Sequence, residues 1–313
     1  MSSNFGCYEN YCYDCICFFI SKNDEYVLGY IDSSKKSIIF YDINNNNEIK
    51  KLNNAHEQGI NTIKHYPYDK YDIILSTSDN NDIKIWNFKE GLNILTISKI
   101  FESNNPYVWS ACIIFNENNF NIFCTGYNDY IKQYNSKGEF IKNIGNKVYR
   151  CYIDSSEIEE KKYLLVGGNK GIEVYNYPEL TEYYTFIEGN DSKYHNYAKI
   201  VKINNTYNLI DTGNFNSIKI WNFLNKSLIT KITSNTTERL GGFTIINNRY
   251  LLIGSRDKNI KEFDIEKQMM IKDINKHSDL VVGIKPVKDK NGNMLFVSYG
   301  YSSDKNIYLW SAN

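Results

Sequence analysis

Four cysteines, Cys7, Cys12, Cys15 and Cys17, crowd the first turns of the chain. Cys12 and Cys15 have two residues between them, a gap that lets paired thiolates hold a zinc ion. No second Cys or His pair follows at a matching distance, and Cys15, Cys17 and Phe19 alternate as buried strand residues do, so the expectation is an apolar strand without a metal. Gly167-Gly168-Asn169-Lys170-Gly171 has the glycine density of a phosphate-cradling loop. It lacks the Gly-Lys-Ser/Thr ending and no helical pattern follows, so a tight turn is expected there. The four histidines, His56, His65, His195 and His277, belong to no His-Glu-x-x-His motif, and no Gly-x-Ser-x-Gly nucleophile motif is present. Carboxylates are scattered through turns. The sequence names no catalytic residue and no cofactor.

The elements that hold these residues are strands. Ile73 to Phe88 runs from an apolar stretch into Ser76-Thr77-Ser78, a polar turn and the alternating Ile83, Lys84, Ile85, Trp86. This pattern is a β-hairpin. It recurs, each copy closed by an aromatic residue: Tyr41, Trp86, Tyr134, Tyr175, Trp221, Phe263 and Trp310. The intervals run from 41 to 48 residues. Each interval holds the hairpin plus two further strands, such as Ile60 to His65 before it and Leu92 to Ser98 after it. No segment carries a 3.6-residue apolar period. A repeat of about 40–45 residues with four strands is the period of a propeller blade. The fold expected over residues 1–313 is therefore all-β: one domain, a seven-bladed β-propeller of four-stranded antiparallel blades.

On these residues the chain resembles the WD-repeat family over nearly its whole length. That resemblance implies a buried polar relay in each complete blade, linking a His before the inner strand, a Ser or Thr on the second strand, an Asp in the next turn and the closing Trp. The seventh unit matches with His277, Ser298, Asp304 and Trp310. The second has His56, Ser76 and Trp86, with Asn80 where the Asp is expected. The sixth has Asp257 but Phe263 for Trp, and the first, third and fourth close on Tyr. The relay's role is structural, since each member satisfies a donor or acceptor of another. The resemblance further implies a non-enzymatic scaffold that holds other proteins in a complex. A lipid- or small-ligand-binding propeller is the alternative, though the Phe-Arg-Arg-Gly motif of phosphoinositide binders is absent, and a propeller enzyme with an axial site comes third.

Composition agrees with a binding module. The chain has 313 residues, 42% hydrophobic and 15% aromatic, enough for an extended core. Its 36 basic and 36 acidic residues cancel, and only four are arginine, which argues against nucleic acid as a partner. No apolar run is long enough for a membrane span. Without a leader pattern, and with seven cysteines at no disulfide-like spacing, the expected location is the cytoplasm, or the nucleus, with the thiols reduced. The last unit has no residues beyond Asn313 for an outer strand, so residues 1–10 are expected to supply one and close the ring. Partner contacts are expected where inner strands begin, at Trp109, Tyr197, Arg239 and Leu280, and in the turns between second and third strands, at Asp79, Tyr127 and Arg256. Rigid strands hold such positions in solvent, and Trp, Tyr and Arg dominate interface energies.

Overall fold

The structure is a computed structural model that describes residues 14–69, 71–117, 119–189, 193–301, 304 and 306–311. Alternating apolar residues with turn-forming Asn, Asp and Gly between them leave the chain no competing helical pattern, and the described residues contain strands and no helix. The strands form seven antiparallel sheets in chain order: residues 16–52, 60–98, 108–148, 150–186, 195–233, 240–275 and 281–311, here blades 1 to 7. Blades 1 to 6 have four strands each. Blade 7 has three among the described residues, and the strand expected from residues 1–10 lies outside them. No helix among the described residues is long and apolar enough to cross a membrane.

Blade 2 shows the construction. Its inner strand Ile60–Tyr68 pairs with Tyr71–Ser78, which pairs with Asp82–Asn87, which pairs with the outer strand Leu92–Ser98. The turn at 79–81 closes with Asn81 at φ 59°, a left-handed conformation that Asn tolerates. Register places Ile74 opposite Trp86. Leu28 opposite Tyr41, Leu164 opposite Tyr175, Leu209 opposite Trp221 and Leu251 opposite Phe263 repeat that pair in blades 1, 4, 5 and 6. Gly168 and Gly171 end the second strand and begin the third in blade 4, so the glycine-rich stretch is a hairpin turn. A Cβ on Gly168 would lie 2.1 Å from the Tyr149 carbonyl oxygen, and that close approach is what the glycine serves.

Adjacent blades share their cores. Phe19 and Phe40 of blade 1 meet Phe88 of blade 2 at ring distances of 5.0 and 4.9 Å. One apolar cluster runs through blades 7, 1 and 2, another through blades 4, 5 and 6. Each fully buried Phe or Ile contributes about 1.5–3 kcal/mol to holding blade against blade. Every inner strand packs against the next, and the inner strand of blade 7, Val281–Lys288, packs against that of blade 1, Ile16–Ile20, so the ring is complete.

Candidate functional site: an aromatic face on rigid supports

The inner strands begin earlier than the apolar runs suggest. Those of blades 3 and 5 are Val108–Phe115 and His195–Ile203. In six blades the register shifts just after the first residue, a β-bulge. Trp109 is the bulged residue of blade 3, inside the strand and not before it, and it is half-buried. Tyr197 follows the bulge in blade 5 and points inward. It is 1% exposed, with its ring 5.2 Å from Tyr152 and 5.1 Å from Phe243, so it is a packing residue and not the surface contact expected of it.

In five blades the residue directly before the inner strand has the same role. The carbonyls of Gly59, Tyr149, Tyr194, Arg239 and Leu280 accept backbone N–H groups from Asp79, Asn169, Asn214, Arg256 and Tyr301. These bonds join each entering loop to the turn between second and third strands, so both lie on one face of the ring. Arg239, Leu280, Asp79 and Arg256 therefore stand where the sequence puts them, all half-buried, and Tyr127 in its turn is 38% exposed. The equivalents missed in the sequence are Tyr107, Tyr149 and Tyr194. Each directly precedes the first residue of an inner strand, and the bulge hid that alignment.

These missed tyrosines gather Trp109 and Tyr127 into one aromatic group across blades 3 to 5. Trp109 lies edge-on to Tyr107 at 6.0 Å and 6.4 Å from Tyr149. Tyr149 meets Tyr127 at 5.6 Å and Tyr194 at 4.6 Å. Tyr149 is buried, whereas Tyr107, Trp109 and Tyr194 are half-buried. The Tyr107–Trp109 and Tyr127–Tyr149 contacts are edge-to-face and the other two are tilted, and such contacts favour fixed ring positions.

Buried polar groups stiffen the blades beneath. In blade 7 His277 Nδ1 is 2.5 Å from Asp304, His277 Nε2 is 2.7 Å from Ser298 Oγ, and Trp310 Nε1 donates to the same oxygen at 2.8 Å. The Asp304 carboxylate can only accept, so Nδ1 carries the imidazole proton; Nε2 of the neutral ring then accepts the Ser298 hydroxyl proton, and the Ser298 oxygen accepts from the indole. Blade 2 has the same relay through His56, Ser76 and Trp86, completed by Asp82 at 2.7 Å and not by a residue at the Asn80 position. Desolvation lowers the pKa of both imidazoles from the ordinary 6.5 despite the carboxylates, so both are neutral near pH 7. Blade 5 departs: Asp211 occupies the serine position, with its carboxylate 2.6 Å from Nδ1 of His195. Blade 4 replaces the relay with an ion pair. Arg150 Nε and Nη2 donate to Glu173 at 2.6 and 2.9 Å, Tyr175 donates to the same carboxylate, and Arg150 Nη1 reaches the Asn146 and Asp129 carbonyls of blade 3.

A second ionic system crosses the axis. Asp14 lies 2.5 Å from Lys285 Nζ of blade 7 and 3.3 Å from Lys64 Nζ of blade 2, and Lys64 also faces Asp154 of blade 4 at 3.4 Å. Burial alone would raise the Asp14 carboxyl, but the Lys285 and Lys64 ammoniums hold it well below the usual carboxylate range. Cys17 beside it is pushed up to about 12 by burial, which makes it a poor nucleophile. Cys15 is disulfide-bonded, contrary to the expectation of a plain reduced strand cysteine, and its partner is not among the described residues. Cys7 and Cys12 lie outside the described residues, as does any metal geometry they would complete.

The WD40 family model, described as WD domain, G-beta repeat, matches residues 47–87, which span the outer strand of blade 1 and the relay of blade 2. With that match on a ring of seven blades, two of them carrying the full His–Ser–Asp–Trp relay, the assignment follows. The chain is a seven-bladed β-propeller that carries a WD repeat at residues 47–87. No curated protein matches it. Among solved structures, a chain in "Crystal Structure of Mitotic Checkpoint Complex" superposes with a TM-score of 0.76 at 11% identity, covering 99% of this chain and 90% of that one. At that identity the likeness concerns the fold alone. Its supports differ from blade to blade: among the described residues there are two relays, one His–Asp pair and one Arg–Glu pair.

Proposed function

We propose that this WD-repeat propeller is a non-enzymatic platform that holds other proteins in a complex, and that it does so through the face carrying Tyr107, Trp109, Tyr127, Tyr149 and Tyr194. The observation that carries the proposal is the aromatic group itself. Five rings from three blades stand at the strand entrances and turns of one face and touch one another, Tyr149 and Tyr194 are further tied to their turns by a backbone hydrogen bond, and four rings remain partly open to solvent. Preset Trp and Tyr side chains contribute large contact area with little ordering cost, which is the property of interface anchors. Arg239, Arg256 and Leu280 extend the same face over blades 6 and 7. The similar solved structure is, by its title, part of an assembly, in keeping with this reading.

The test is affinity purification of the full chain from its native cells beside a Tyr127→Ala, Trp109→Ala variant, with bound proteins quantified and thermal melts recorded. Selective loss of bound proteins with an unchanged melt is expected. Equal loss of melting temperature and of every bound protein would mean that the rings only pack the ring of blades.

A further inference from the structure

The cleft between blades 2 and 3 opens at the rim of the same face. It has a volume of about 810 Å³ and is bounded by the end of blade 2's outer strand, the segment after it, and the third and outer strands of blade 3. Three lysines line it: Lys99, Lys132 and Lys147. Its carboxylates are Glu102, which is exposed, and Asp129, which is 8% exposed and accepts the Tyr130 backbone N–H.

Lys132 stands apart when the blades are compared. It lies two residues before the closing aromatic, as do Lys84, Lys219 and Lys261 in blades 2, 5 and 6. Each of those three reaches back to the loop that enters its own blade or its margin. Lys84 donates to the Ala55 carbonyl at 2.7 Å, Lys219 pairs with Glu188 at 3.4 Å, and Lys261 binds Asn235 and Asp273 at 2.8 Å. In blade 3 that loop supplies Phe101 instead, and the Lys132 ammonium sits 5.4 Å from its ring and 5.9 Å from that of Phe140. No carboxylate lies within 4 Å of Lys99, Lys132 or Lys147 among the described residues. Phe140 is 53% exposed at the other end of the outer strand Phe140–Val148 from Lys147. Seven strand residues separate the two by ~20 Å. Cations spread over that length beside an exposed ring fit an elongated occupant, not one compact anion.

We propose that this cleft docks an extended acidic segment of a partner protein, with its carboxylates on Lys99, Lys132 and Lys147 and an apolar side chain against Phe140. The proposal rests on the platform function above and adds the chemistry of the partner. The cleft also borders the aromatic face, since Asn128 on its wall is next to Tyr127 in the chain and Lys147 lies two residues before Tyr149. A single partner strand can therefore lie in the cleft while its neighbouring residues cover the rings.

The experiment uses the full chain and a fluorescent peptide of about ten residues, enough to span the cleft in extended form, with Asp and Glu alternating with Phe and Leu. A charge-inverted peptide with Lys in place of the acids is the control. Anisotropy should show binding of the acidic peptide alone, weakened roughly tenfold or more by Lys132→Glu, Lys147→Glu and by raising salt from about 0.05 to 0.5 M, where screening shortens the reach of exposed charges. The salt series on the unaltered chain keeps the test valid if the double variant folds poorly. The proposal is overturned if the inverted peptide binds as well, if the double variant binds like the parent, or if inorganic phosphate displaces the peptide completely, which would mark a compact-anion site. Retained peptide binding in Tyr127→Ala, Trp109→Ala supports the cleft even if no native protein depends on the aromatic face. Native proteins lost from that variant while the peptide fails on the parent would leave the platform standing and remove the cleft.

Discussion

Glu173→Gln is the substitution with the largest effect that the structure allows to be worked out in advance. The Arg150 side chain is 1% exposed and that of Glu173 is 10% exposed, and two short parallel bonds join them. Glutamine keeps the shape and one acceptor oxygen but removes the charge. Arg150 retains the Asn146 and Asp129 carbonyls, which are dipoles and do not neutralise a guanidinium. Removing one member of a buried pair costs about 3–5 kcal/mol, because the other charge stays desolvated. For a chain of this length, with about 2 °C of melting temperature per kcal/mol, the melt should fall by ~6–10 °C. The comparison that isolates the cause is Arg150→Met with Glu173→Leu. Replacing both charges by apolar groups of similar volume is often neutral or stabilising, so the double variant should melt higher than Glu173→Gln alone. Differential scanning fluorimetry with circular dichroism checks both. If Glu173→Gln melts within about 1 °C of the parent, below the loss expected for one unpaired buried charge, water reaches this pair and the argument from burial is wrong.

Two other outcomes follow from the relays. Asp82→Ala leaves the fully buried His56 Nδ1–H without its acceptor and should cost ~1–3 kcal/mol, whereas Asn80→Ala, half-buried in the turn, should stay within about 0.5 kcal/mol; urea titrations of the two variants decide which residue completes the blade. His56 and His277 have folded pKa values below the ordinary 6.5, so the stability they contribute is present above that value and is lost as the pH falls through their folded values. The melt should therefore decline on acidification below pH 6.5, and His277→Asn should show a shallower decline between pH 6.5 and 5; an equal slope in both proteins would place the acid sensitivity elsewhere.

The blades were legible in the sequence because their signal is local. A hairpin is written in alternation and turn residues a few positions apart, and Ile73 to Phe88 shows both. The relay of blade 7 is legible in the order of its residue types, although Ser298 lies twelve residues before Trp310 where Ser76 lies ten before Trp86, so the match needs a two-residue insertion near Tyr301. In blade 2 the offset failed: the turn presents Asp82 to His56 in place of the residue at position 80, and turn geometry, not residue type, makes that choice. The aromatic face was only partly legible. Arg239 and Leu280 are legible, but in six blades a β-bulge shifts the start of the inner strand, so the sequence points to Trp109 and Tyr197 where the structure has Tyr107 and Tyr194, and it gives no sign of Tyr149. Arg150 with Glu173 and Lys64 with Asp154 could not be read at all. Register and the curvature of the ring bring those partners together, and nothing in their neighbours announces it.

The axial ions also set a timetable for making the molecule. Asp14 and Lys285 are 271 residues apart in the chain. A ribosome adding about 5–20 residues per second needs roughly 15–55 s to travel that distance. Lys64 emerges far sooner, so Asp14 first pairs with Lys64 alone while the wedge between blades 6 and 1 stands open, its apolar walls exposed to whatever else is in the cell. The arrival of Lys285 brings the second ammonium to Asp14 as the last blade fills that wedge. The nascent propeller thus grows blade by blade through that whole interval with none of the gain from closure collected, and its open apolar walls are exposed for longest then, not in the finished ring.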